Sequence, residues 1–166
     1  RMPEALFTFK FGIETCRTLD PIWNLKGEQF YEIAFRDKKL FAVNIFRKKT
    51  EKAGMAFKTA YVSRDTYDLA NFLSGKNGGR IMNGYKPQQV YAFLKQAYKD
   101  AGVTNEYFYI HPIHALRHSG AQRWLEKTEF NRAVVAELGG WEAEKTLEDH
   151  YGGVPQDVVR GYATIL

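Results

Sequence analysis

From Phe30 to Phe46 apolar and polar residues alternate with a period close to two. The run reads Phe30-Tyr-Glu-Ile-Ala-Phe-Arg36, then Asp37-Lys38-Lys39, then Leu40-Phe-Ala-Val-Asn-Ile-Phe46. Aromatic and β-branched residues at this spacing specify two antiparallel strands, with the polar triplet as their turn. A third strand is expected from about Phe57 to Val62, after the basic loop Arg47 to Gly54. This stretch constrains the fold most, because nearly all the rest of the chain has helical spacing. The predicted class is α+β: a mainly helical domain with a small three-stranded antiparallel sheet.

The helical segments can be placed roughly. Ala5 to Leu25 puts Phe7, Phe11, Leu19 and Ile22 on one face and predicts a helix broken near Pro21. Ser63 or Asp65 can cap a short helix over Thr66 to Leu73, and the Gly- and Asn-rich stretch Ser74 to Gly79 reads as a loop. Pro87 opens an amphipathic helix that ends at Ala101-Gly102, with Val90, Phe93, Leu94, Ala97 and Tyr98 on its apolar side. Further helices are expected over about Ile113 to Lys127, Asn131 to Leu138 and Ala143 to Tyr151, with a tail from Val154 to Leu166.

Composition narrows the class of partner. The chain has 166 residues, 45% of them hydrophobic and 26% charged, which suits one globular domain. Its 24 Lys and Arg outnumber 19 Asp and Glu, for a formal charge of +5, and that excess favours a polyanionic partner. A single cysteine, Cys16, excludes an internal disulfide and a Cys-rich zinc site. No apolar run approaches the roughly 20 residues that cross a bilayer, and no secretory leader opens the chain. A cytoplasmic, DNA-associated protein without membrane contact is the expectation.

Chemistry-bearing residues concentrate between His111 and Tyr151. On a helix, His114 and Arg117 share a face, and together they offer donors for two non-bridging oxygens of one phosphate. His118 and Arg123 lie close by, and His111 precedes Pro112. A His-x-x-Arg pair is frequent by chance, so by itself it identifies nothing. Earlier in the chain, Arg17 sits amid apolar neighbours with Asp20 three residues on, where the plain expectation is a helix-surface ion pair. The basic turn Arg47-Lys48-Lys49-Thr50-Glu51-Lys52 has an equally plain reading as a solvated loop.

Taken together and in this order, these residues resemble the catalytic domain of the tyrosine recombinases, the phage-type integrases. The resemblance runs from Phe7 to Tyr151. Thr15-Cys16-Arg17 with Asp20 is similar to that family's first-arginine segment, and Ile45 to Thr50 to the β2–β3 turn that carries its lysine. His114-Ala115-Leu116-Arg117-His118 matches the family's H-x-L-R-H box letter for letter. Leu138-Gly139-Gly140-Trp141 fits the version with Trp at the His-or-Trp position, and His150-Tyr151-Gly152 resembles the short nucleophile box. The spacing between Trp141 and Tyr151 is slightly longer than in the common members. The resemblance implies that residues 1–166 are the catalytic domain alone, without the family's N-terminal DNA-clamping domain.

The resemblance also implies a reaction. Site-specific recombination or integration would proceed by attack of Tyr151 on a DNA phosphodiester, giving a 3′-phosphotyrosine that is later resealed. Arg17, Arg117 and Trp141 would stabilise charge on the phosphorane-like transition state, and His114 would accept the tyrosine proton. A lysine would protonate the leaving 5′ oxygen. Alternation of side chains beyond Phe46 favours Lys49, with Lys48 and Lys52 also on that turn. No cluster of carboxylates accompanies these positions, so neither metal nor cofactor is expected. The implied partner is double-stranded DNA at specific attachment sites, with a homo-oligomer, a tetramer, formed on synapsis. Competing readings are a type IB topoisomerase, a non-catalytic DNA-binding relative, and a basic α+β interaction domain.

Overall fold

The computed structural model describes residues 2–46, 57–129, 131–140 and 156–165, with the backbone alone at 19, 20, 156 and 157. In chain order the elements are α1 (Pro3–Thr15), α2 (Leu19–Trp23), β1 (Phe30–Phe35), β2 (Lys38–Phe46), β3 (Phe57–Val62), α3 (Arg64–Lys76), α4 (Pro87–Asp100), α5 (Tyr107–Ile110), α6 (Pro112–Lys127), α7 (Arg132–Gly139) and α8 (Gln156–Ala163). Helices make up 60% of the structure, and the strands form one antiparallel sheet in the order β1-β2-β3. The fold is therefore α+β and mainly helical, as the periodicities predict.

The two faces of the sheet are buried by different helices. Val43, Ile45, Ala60 and Val62 face the larger core, where they join Phe7, Phe11, Ile22, Leu73, Leu94 and Leu116. The Phe7 and Phe11 rings stack at 5.2 Å, and each meets Phe30 edge-on at 6.2 Å. Leu40, Ala42 and Tyr61 face a second core with Trp124, Val134, Leu138, Val159 and Ala163. Asn131 caps α7 by accepting from the Val134 N–H at 3.2 Å. Among the described residues, no helix is long and apolar enough to cross a membrane.

Several boundaries differ from those predicted, each for a local reason. The first helix breaks at Cys16, in the left-handed region at φ 54°, rather than near Pro21. Pro21 lies in the first turn of α2, where a backbone N–H has no helical partner to lose. The β1–β2 turn is Arg36-Asp37, so Lys38 and Lys39 belong to the ladder opposite Phe35 and Ala34. Lys39 pairs there with Glu32 at 2.8 Å, and Arg36, itself at φ 55°, lies over the Phe35 ring. Helix α3 is longer than expected and absorbs Ser74 to Lys76. Its cap is Ser63, which accepts from the Thr66 N–H at 3.3 Å. The expected helix over Ala143 to Tyr151 lies outside the described residues.

The contact that organises the helices is the close approach of α6 to the C-terminal end of α1. Gly12 packs beneath Leu116, and a Cβ at Gly120 would collide with the Ile13 carbonyl. This proximity lets the buried Trp124 donate its indole N–H to the Glu14 carbonyl at 2.8 Å. The Glu14 carboxylate turns the other way and accepts from the Ser63 N–H at 3.0 Å and the Ser63 hydroxyl at 2.7 Å. One residue thus ties α1 to both α6 and the start of α3.

Gly120→Ala is expected to destabilise the fold by about 1–3 kcal/mol, the usual range for overpacking against backbone. Gly161→Ala is the control, because nothing lies within 4 Å of the added Cβ. It should stabilise by up to about 1 kcal/mol through helix propensity. Urea denaturation of the two variants checks both signs, and a neutral Gly120→Ala would show that the helix approach is not tight.

Candidate functional site

Helix α1 ends by exposing carbonyls that its own backbone cannot satisfy. Thr15 donates its hydroxyl back to Phe11 O at 2.7 Å, and Arg117 donates from Nη1 to Cys16 O at 2.9 Å. Arg117 is thereby held by a backbone group 101 residues earlier in the chain. A guanidinium has its donors in one rigid plane, so a single anchored N–H restricts the direction of the whole fork.

Arg17 follows directly. It lies beyond the end of α1, in the link to α2, and only 5% of it is exposed. Arg17 is therefore neither on a helix nor at the surface, where it was expected, and the side chain of its expected partner Asp20 is outside the described residues. Its guanidinium packs on the backbone of Gly140, so closely that any Cβ there would overlap it. Gly140 is the left-handed cap of α7 (φ 64°), with its N–H directed to the Ala136 and Glu137 carbonyls. Glu137 also braces α7 against the sheet through a largely buried ion pair with Lys58 of β3 at 2.9 Å.

Both arginines act on Cys16. Its thiol is pushed up to about 12 from an ordinary 9.0, chiefly by burial, while the positive charges of Arg117 and Arg17 pull the other way. Burial likewise lowers the pKa of Arg117, opposed by Cys16. The thiol stays protonated at neutral pH and is no nucleophile there. Cys16 is instead a spacer whose carbonyl orients one guanidinium and whose successor in the chain carries the other.

The structure thus brings together Arg17, Arg117 and Gly140, the residue before Trp141. His114 lies one turn ahead of Arg117 on α6 and is exposed. The start of α6 is fixed from behind by Tyr98, whose hydroxyl donates to Pro112 O at 2.8 Å. Lys49, Trp141 and Tyr151, together with Lys48 and Lys52, lie outside the described residues. The strands that carry the Lys49 turn end at Phe46 and Phe57, both exposed and in edge contact at 6.3 Å. Two contributors had no sequence signal: the Cys16 carbonyl, because backbone acceptors carry none, and the four-residue α5, too short to show a period. No protein-family model, curated protein or solved structure matches the chain.

Two outcomes follow from this geometry. Gly140→Ala should cost about 1–3 kcal/mol from backbone strain and displacement of Arg17. Combined with Arg17→Ala, it should cost less than the sum of the single changes, whereas additivity in the denaturation cycle would mean that the two residues are not in contact. The second outcome is a pH dependence. A thiol with a raised folded pKa leaves stability unaffected below the unfolded value of 9.0, and lowers it as pH rises from there towards 12, because only the unfolded chain ionises. Tyr98, also raised by burial, acts in the same direction at still higher pH. Between pH 9 and 11, wild type should therefore lose stability faster than Cys16→Ala, by about 1.4 kcal/mol per pH unit. Parallel pH profiles would show that the thiol ionises freely in the folded state.

Proposed function

We propose that this protein is a DNA strand-breaking and rejoining enzyme of the tyrosine recombinase type, acting at specific sites in double-stranded DNA through a 3′-phosphotyrosine. The observation that carries this reading is the convergence of Arg17 and Arg117 on the end of α1. Two guanidiniums distant in sequence are held at one buried junction, one anchored on the Cys16 carbonyl and the other against Gly140. Ordinary surface arginines are not held in this way.

The chemistry such a base supports is charge stabilisation. Attack on a phosphodiester adds negative charge to the equatorial oxygens of the transition state, and donors fixed before the reaction stabilise it without reorganising. In this reading the Tyr151 oxygen forms a bond to phosphorus while the bond to the 5′ oxygen breaks. His114, exposed beside Arg117, accepts the tyrosine proton, and Lys49 on the β2–β3 turn gives a proton to the leaving oxygen. Trp141, next to Gly140, contributes a neutral indole donor. Because the phosphotyrosine conserves the phosphodiester's energy, rejoining requires no nucleotide cofactor. Recombination would pair two DNA sites in a homotetramer.

Incubation with a nicked suicide duplex tests this directly, since it traps any covalent intermediate. Wild type should give a denaturation-resistant protein–DNA adduct, and Tyr151→Phe none, with DNA binding nearly unchanged. Arg17→Ala and Arg117→Ala should each slow adduct formation on the order of 100-fold or more. Normal adduct from Tyr151→Phe would remove the nucleophile assignment, and native rates in either arginine variant would remove its phosphate role.

A further inference from the structure

Beside His114 lies an array of rings for which the proposed reaction has no use. The Tyr107 ring stands 5.1 Å from His111 and 5.5 Å from His118, and His111 meets His114 edge-on at 6.2 Å. Tyr107 comes from α5, His111 caps α6, and the other two lie on α6. Tyr107 is 37% exposed, and all three histidines are exposed. Four rings linked by three successive contacts at the surface form a prearranged structure, not a scatter of solvated side chains. Among the described residues, no three His, Cys, Asp or Glu converge as metal ligands would. The imidazoles are instead spread along the helix.

The charge around the array indicates what it meets. From Tyr107 through Leu125 the sequence holds three His and two Arg but no Asp or Glu. A polyanion lying along this face would encounter no carboxylate between Glu106, the exposed N-cap of α5, and Glu126 near the end of α6. An imidazole keeps an N–H donor whether neutral or protonated, so it can bond a phosphate oxygen without gaining charge. The spacing also fits. His111 and His118 are separated by roughly 10 Å along the helix axis, and one DNA strand presents a phosphate about every 3.4 Å of its own axis.

We propose that His111 and His118, held apart by Tyr107, bind backbone phosphates on either side of the one addressed by His114 and Arg117. The exposed side of α5–α6 is then a track for about four consecutive phosphates of one strand. This inference rests on the DNA reading given above.

The test is fluorescence anisotropy of the whole chain with a labelled 30-base-pair duplex of mixed sequence at fixed salt, alongside suicide-substrate trapping. His111→Phe/His118→Phe keeps the ring contacts with Tyr107 but removes the donors, and should weaken binding by about 10-fold or more. His111→Gln/His118→Gln keeps donors and should stay within about 3-fold of wild type. His111→Lys/His118→Lys, which has donors and no rings, should bind at least as tightly as wild type. Thermal melting should be the same for all three. Wild-type affinity in the Phe pair, or equal weakening in the Phe and Gln pairs, would overturn the proposal, as would weak binding by a folded Lys pair. If wild type forms the adduct while the Phe pair binds normally, this inference alone falls. If wild type neither binds the duplex nor forms an adduct, the DNA reading falls with it.

Discussion

The structure depends on how the C-terminal end of α1 is satisfied. A helix leaves its last carbonyls without intrahelical donors, and burying such groups unpaired costs about 1–3 kcal/mol each. Here the missing donors come from α6: the Trp124 indole reaches Glu14 O, and the Arg117 guanidinium reaches Cys16 O. Both reach only because Gly120 lets the two helices approach without an intervening Cβ. The same junction seals the wall between the two cores, since Leu116 belongs to one and Trp124 to the other. Stability and the orientation of Arg117 therefore have a common cause.

The candidate site shows a further economy of parts. A buried guanidinium needs polar surroundings, and the backbone of Gly140 lies directly against that of Arg17. Gly140 presents only a Cα where any other residue would present a clash. The Lys58–Glu137 pair then acts at a distance: it secures α7 to the sheet, and α7 delivers Gly140.

How far all this was legible in the sequence depends on the type of signal. The strands were legible in their aromatic and β-branched residues at a spacing near two, which matches the alternation of side chains across a pleated strand, and Pro87, Ser63 and Asn131 marked helix starts through the backbone groups they satisfy or lack. The turn was expected to run on through Lys38 and Lys39 because they look like turn residues, yet at the exposed start of β2 their charged heads stay in water. The break at Cys16 was hidden for a different reason. A non-glycine residue in the left-handed region has no signature, and Pro21 drew attention away from it. His114 and Arg117 were visible as a pair sharing a helix face. The burial of Arg17 was not, because it is created by Gly140, more than a hundred residues later, and no local pattern encodes that contact.

That separation sets the order in which the site can come into being. Synthesis delivers Arg17 early, when neither α6 nor α7 exists, so the end of α1 must wait in water or in provisional contacts. Local pieces such as the β1–β2 hairpin can form meanwhile, because their loops close over few residues. The arginine pair cannot, since each half is completed by a partner from the far end of the chain. Contacts so distant close late in folding. A partly made chain can therefore hold the β1–β2 hairpin but not the arginine pair, whose fixed arrangement arrives only once α6 and α7 have packed.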